Sequence, residues 1–397
     1  MSSATRRRKL NEGSDHTFES ALNHTLRILV ISRILVDGLS TKFFFVDVIT
    51  GLIIVWLGVQ ELVLKRKSEH LSGKATLIPF YLFLVVSSIY GYTRDGVDFS
   101  AFLFQASFLL LFLLCRFVLR MSFTERIKFR NGLILVLTIS AALGLFELIF
   151  GRTPLTQSLQ VLRAERFSGF ILWPNMASIL YGIALCGVLV SSKRISIKVL
   201  FSVILFGGVL ATSTLTGTVA TLLGLFWILR RNYLVFVSLL AFGYLLSTYS
   251  GIRLNIVDRF FSLSVPSIEV VQSQRSTDSA TWRVIQWQRV LSVVKENIFF
   301  GIGFGRSENS AKIGGYLPHS DYFRILLETG VVGAIVFLIA AKSLLRKLFP
   351  KEMLVKSPLT LACLTIIAVS SFTENLLGQT AIFLIVPFFI INTEKGV

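Results

Sequence analysis

Residues Pro318–Ala340 read PHSDYFRILLETGVVGAIVFLIA. The first part of this stretch carries His319, Asp321, Arg324 and Glu328, whereas Val331–Ala340 has no charge at all. About 20 mostly apolar residues cross the ~30 Å hydrocarbon layer of a bilayer, so the uncharged part reads as the body of a spanning helix. Comparable runs recur along the 397-residue chain, which is 53% hydrophobic and has a mean hydropathy of +0.72. The expected fold is therefore all-α: a polytopic integral membrane helical bundle. The usual allowance of one domain per ~150 residues does not apply, because the helices form one bundle.

Working outward from this stretch gives about twelve candidate spans. They are Thr25–Thr41, Phe43–Leu64, Thr76–Tyr92, Phe99–Leu119, Asn131–Phe150, Pro174–Ser192, Val199–Thr212, Leu215–Leu229, Tyr233–Tyr249, Tyr322–Ala341, Pro358–Phe372 and Leu376–Ile391. The chain begins with a basic RRRK. The connections KRKSEHLSGK, RMSFTERIKFR, SSKRISIK, RRN and KSLLRKLFPKEMLVK, after every second span, are basic as well. The alternate connections TRDGVD, STLTG and TENLLG are not. Lys and Arg collect on the cytoplasmic side of short loops, which makes both termini cytoplasmic. The expected organisation is a basic tail over 1–24, a bundle over 25–249, an external loop over 250–321, a second part of the bundle over 322–391 and a tail over 392–397. The N-terminal residues show no cleavable signal pattern.

The net charge is +18. Topology explains most of it. Nucleic-acid binding would require a basic face on a soluble unit, and none is visible. A surplus remains in the external loop, which holds Arg253, Arg259, Arg275, Arg283, Arg289, Lys295, Arg306 and Lys312. Cations on an outer face suggest an anionic ligand. Within this loop TWRVIQWQRVLSVVKE, Thr281–Glu296, places Val284, Trp287, Leu291 and Val294 at helical spacing, with Arg283, Gln286 and Arg289 toward the other side. It reads as an amphipathic helix at the membrane interface. Arg283 suits a phosphate, since its planar fork donates two parallel hydrogen bonds.

GIGFG, Gly301–Gly305, lacks the strand and the following GKS of a nucleotide loop, and reads as a turn returning the chain to the membrane. Asp321 is expected to cap the next helix, with His319 just ahead of it. The positive helix end there disfavours imidazolium, and a neutral imidazole can take a proton from a hydroxyl. Arg324 and Glu328 have the spacing of a helical ion pair. RAERFSGFILWPN, Arg163–Asn175, brings further cations, Arg163 and Arg166, to the same surface. Arg33, Asp37, Glu147 and Glu374 are ionisable residues within or at the ends of apolar spans, Glu374 at an outer helix end. Such residues usually face a cavity or a partner. Cys115, Cys186 and Cys363 show neither pairing nor metal spacing. No Asp-x-Asp, Walker A, zinc or Gly-x-Ser-x-Gly motif occurs, so neither a metal nor another cofactor is expected.

RFSGFILWPN, then WRVIQWQRVLSVVKENIFFGIGFG, then HSDYFRILLETGVVGAIVFL resemble, in that order, the O-antigen ligase/polymerase family of bacterial glycosyltransferases. The resemblance covers Arg163–Phe337 by motif and the whole chain by span layout. It implies a GT-C-like membrane enzyme, in the bacterial cytoplasmic membrane, with its site on the external side. An undecaprenyl-diphosphate-linked glycan would be the donor and a glycan or lipid the acceptor, with release of the lipid diphosphate. By motif position His319, Arg283 and Arg166 would be catalytic: the arginines hold the diphosphate, and His319 positions or deprotonates the acceptor hydroxyl. Arg289, Arg306, Asp321, Tyr322, Arg324, Arg163 and Asn175 are the expected substrate-binding residues.

The family often has a cation in the turn between the seventh and eighth spans, where this chain reads ATSTLTGTVA; Arg289 or Arg306 would then substitute. The HSDYFR stretch stands closer to the chain-extending polymerases than to the ligases that use lipid A–core. A chain-length regulator is a further possible partner. Two readings of other classes remain: a transporter or flippase, against which stands the lack of related halves, and a non-catalytic assembly partner.

Overall fold

The computed structural model describes residues 121–151, 166–171, 173–230, 279–307, 318–348, 357–376 and 380–390, with short pieces elsewhere. The first four expected spans, the ninth, the tails, loop residues 250–278 and Arg163 lie wholly or mostly outside the described residues. Among the described residues every regular element is helical and no strand is present. The helices are α1 (Phe123–Phe150), α2 (Pro174–Val190), α3 (Ile195–Ala211), α4 (Leu215–Leu229), α5 (Ser279–Glu296), α6 (Asp321–Leu348), α7 (Pro358–Thr373) and α8 (Thr380–Ile390). Helices α1 and α6 are long and apolar enough to cross a membrane, and α2, α3, α4 and α7 are shorter apolar helices.

Several boundaries differ from the sequence reading for local reasons. Helix α1 starts within the basic connection RMSFTERIKFR, because Ser122 and Glu125 form a reciprocal capping box that satisfies the first free amides. Helix α6 begins at Asp321, but its cap is Ser320, whose Oγ accepts weakly from the Phe323 amide at 3.5 Å. Asp321 has a different partner: its Oδ2 accepts from the Leu376 amide at 3.0 Å, across to the α7–α8 connection.

Helix α2 is buried on nearly all sides, as expected of a helix hydrophobic all round. It packs against α1, α3, α4, α7 and α8. Small residues permit the approach: a Cβ on Gly208 of α3 would come within 2.6 Å of the Ala141 methyl of α1. Small residues at helix contacts are how apolar helices associate where lipid tails are as greasy as the interface. Val30, Ile53 and Leu114 of the earlier spans are buried in the same core cluster.

A second, smaller cluster joins α5 to α6 through Val290, Val293, Val294, Ile302, Ile313 and Leu327. The inward face of α5 is rotated from the one the spacing suggested. Gln286 is 1% exposed and Leu291 40% exposed. Gln286 turns inward because its Nε2 donates to the Ile313 carbonyl at 3.0 Å, and Trp287 Nε1 donates to the Pro318 carbonyl at 3.0 Å. These two bonds tie α5 to Ile313 and to Pro318, the residue before His319.

Helix α6 is broken at Gly330, where φ is 65° and ψ −170°. Backbone groups freed at the break are paired by the turn that follows α5. The Val331 and Val332 amides donate to the Ile298 and Phe299 carbonyls at 2.8 and 3.2 Å. In return the Leu327 and Glu328 carbonyls accept from the Ile302 and Gly303 amides, both at 2.9 Å. GIGFG is thus the piece that heals the kink. Glu328, fully buried, grips the end of it: it accepts from the Gly305 amide at 2.9 Å, from Ser307 Oγ at 2.6 Å and from Arg324 Nε at 3.0 Å.

At Gly330 a Cβ would strike the Phe299 carbonyl, and the φ itself is one that L-residues avoid. Gly330→Ala is expected to cost about 2 kcal/mol or more, read as a lower unfolding temperature in detergent. Gly132→Ala is the control. A Cβ there meets nothing within 4 Å, and in a helix interior alanine is favoured by roughly 0.5–1 kcal/mol.

Candidate functional site

The first arm of the site is the segment Arg166–Ile171, which is held by a relay of hydroxyls. Tyr181 OH donates to the Ser168 carbonyl at 2.7 Å and lies 2.8 Å from Ser140 Oγ, which accepts from the Phe170 amide at 3.1 Å. The Phe167 amide donates to the Ala211 carbonyl at the end of α3 at 3.2 Å. Gly169 is needed in this packing, since its φ is 59° and a Cβ would strike the Ser140 carbonyl. Arg166 emerges from this anchorage, and its Nη1 donates to Asn175 Oδ1 at 3.4 Å.

Asn175 stands in the first turn of α2, after Pro174, which occupies a helix position that needs no amide donor. Its Nδ2 donates to Glu374 Oε1 at 2.8 Å. The same oxygen accepts from Arg283 Nη2 at 2.8 Å in an ion pair. Glu374, at the C-terminal end of α7, therefore connects an arm that follows α1 with an arm on α5. Burial pushes its carboxyl above the ordinary value, opposed by Arg283, by the Asn175 hydrogen bond and by Arg166.

His319 lies beside this group. Its ring meets Trp282 edge-on, with centroids 4.9 Å apart and planes at 86°. Its φ is 51°, a left-handed conformation sparsely populated outside glycine and a frequent mark of functional positions. Burial, and then the positive charge of Arg283, lower its pKa to about 4. His319 Nδ1, Arg283 Nε and Asn375 Oδ1 are buried with no hydrogen-bond partner among the described residues. Buried polar atoms are seldom left so, and three of them lie on the residues of one site or next to them.

The other expected site residues divide by environment. Arg324 is 3% exposed and paired with Glu328, so it sits in the frame beneath His319. Asp321 and Tyr322 tie α6 to the α7 region, Tyr322 OH donating to the Ala368 carbonyl at 3.0 Å. Arg306 is buried within the healed kink, and Arg289 is exposed on the outer side of α5. The start of α4, just after the cation-free turn, borders the site: Thr216 Oγ1 is 2.6 Å from Oγ1 of Thr373, the neighbour of Glu374. Among the described residues no cluster of three or more His, Cys, Asp or Glu side chains is present. Glu374 itself was legible only as an ionisable residue at a helix end. Its partners lie 199 and 91 residues away.

Apolar helices, two of them long enough to cross a membrane, with arginines, a carboxylate and a histidine gathered at helix ends, fit a membrane protein. Residues 179–338, less than half of the chain, match the model of the O-antigen ligase family. That match is to the family the motifs resemble, and it supports a membrane enzyme of polysaccharide assembly. No curated protein matches the chain. The matched stretch includes Arg283 and His319 but not Arg166, Asn175 or Glu374.

With a folded pKa near 4 against an ordinary 6.5, His319 binds its proton more readily in the unfolded chain. It should lower stability as pH falls through that interval and have no effect above it. Histidine NMR titration is expected to show one of the chain's 4 histidines, absent from His319→Gln, titrating near the low value. In Arg283→Gln that midpoint should move upward, because the nearby positive charge is gone.

Proposed function

We propose that the protein is a membrane glycosyltransferase that moves a glycan from undecaprenyl diphosphate to an acceptor hydroxyl at the outer face of the cytoplasmic membrane. The observation that carries this reading is the pairing, inside the family-matched stretch, of a neutral His319 with Arg283. Both have a buried polar atom left without a partner among the described residues.

In the proposed reaction the acceptor oxygen attacks the anomeric carbon and the bond from that carbon to the diphosphate oxygen breaks. His319 takes the hydroxyl proton, and the electron pair leaves with the lipid diphosphate. Arg283 and Arg166 stabilise the charge that develops there, a task for which fixed cations are effective. In the resting site His319 is a weak base. A diphosphate bound against Arg283 would offset that charge and raise the imidazole's basicity when the acceptor arrives. Asn175 orients Arg166, while Asp321, Tyr322, Arg324 and Arg306 hold the frame. Arg289 and Arg163 would contact the donor further out. The acceptor favoured is another lipid-linked repeat, giving a polymerase. The name of the matched family favours the second reading, a ligase that uses lipid A–core.

The test uses purified protein in detergent with a synthetic undecaprenyl-diphosphate oligosaccharide. Released lipid diphosphate and glycan products are followed by mass spectrometry. A ladder of longer lipid-linked glycans without added acceptor is the expected result. Transfer only when lipid A–core is present would make it a ligase. An intact donor under both conditions would reject the enzyme reading in favour of transport. His319→Ala and Arg283→Ala should each slow release by roughly 10²–10³-fold.

A further inference from the structure

We infer that Glu374, outside the family-matched stretch, is a positioning residue that aligns Arg283 directly, and Arg166 through Asn175, as one diphosphate cradle. The inference deepens the proposed function and rests on it. Two arginines that face one anion repel each other until it arrives, and long side chains sample many rotamers when unrestrained. A carboxylate between them removes both problems. Here one oxygen, Glu374 Oε1, takes Arg283 Nη2 and Asn175 Nδ2, both at 2.8 Å, and Asn175 Oδ1 passes the restraint to Arg166 Nη1 at 3.4 Å.

Two details argue against Glu374 as a mere surface pair. It is buried. In addition, Arg283 Nε has no partner among the described residues. Glu374 therefore fixes the guanidinium by one nitrogen and leaves another donor for a ligand. The supports are independent of the arginines: Leu376, two residues on, is tied to Asp321 at the start of α6, and Thr373, one residue before, is tied to Thr216. The α7–α8 connection is thus held from both sides, and what it presents is the carboxylate.

The experiment compares Glu374→Gln, Glu374→Asp and Glu374→Ala in the full-length protein. The first readout needs no turnover: the rate at which phenylglyoxal modifies Arg283, followed by mass spectrometry. Release from the carboxylate should raise that rate several-fold in Glu374→Ala and less in Glu374→Asp, and an unchanged rate in every variant overturns the inference. The second readout is kinetic. Glu374→Gln should lower kcat/KM for the lipid-linked donor by about 10–100-fold, the size of loss that misplacement of a binding group produces. The loss should shrink in an Arg283→Ala background and disappear when Arg166→Ala is added, because residues acting through one another are not additive. Losses that multiply, with a matching fall in unfolding temperature, would mean a structural role only and overturn it. Wild-type protein that leaves the donor intact would sink the glycosyltransferase reading, and the modification rate would still decide the role of Glu374.

Discussion

An apolar medium offers no water to unpaired peptide groups, so a break in a helix there must be mended by the protein itself. The break at Gly330 is mended by exchange. The amides and carbonyls that α6 gives up are taken by residues 298–303, and in being taken they fix that turn. Most of what surrounds His319 follows from this exchange. The turn brings Gly305 and Ser307 under Glu328, Glu328 holds Arg324, and the small core between α5 and α6 closes around Ile302 and Leu327. Trp287 then reaches Pro318, and the residue after it is His319. A glycine motif that might pass for a nucleotide loop is in this chain a backbone patch.

The electrostatics of the site are arranged around scarcity. The chain carries far more cations than anions, and among the described residues the buried carboxylate of Glu374 joins the two arginine arms. Sharing a single oxygen between Arg283 and Asn175 leaves Arg283 Nε without a partner among the described residues, while burial and then the charge of Arg283 keep His319 neutral beside it. Among the described residues this site carries more cations than its one joining carboxylate offsets and has buried polar atoms without partners, a condition that attracts an anionic group.

How much of this the residues disclose depends on the range of the interaction involved. Local rules read well. Pro174 opens α2, Leu215–Leu229 is helical as the apolar run suggests, and Arg324 meets Glu328 at helical spacing. The order of the WRVIQW and HSDYFR motifs groups Arg283 with His319 by resemblance alone. Helix α1 starts ahead of the expected Asn131 because the Ser122–Glu125 box caps a helix through basic residues that spacing alone assigns to a connection. The face of α5 was misjudged because Gln286 satisfies itself on the Ile313 carbonyl, a partner that spacing does not reveal. Glu374 was underread for a stronger reason. Its meaning lies in Asn175 and Arg283, and no periodicity links residues so far apart in one chain.

That separation has a consequence for biogenesis. Membrane helices are inserted in the order in which they are synthesised, and Glu374 follows Arg283 by 91 residues. At a chain growth of about 5–20 residues per second, this leaves a lag of roughly 5–20 seconds in which both arginine arms exist without their carboxylate. The nascent protein therefore passes through an interval with an unassembled site, and the cradle closes only once α7 has been made.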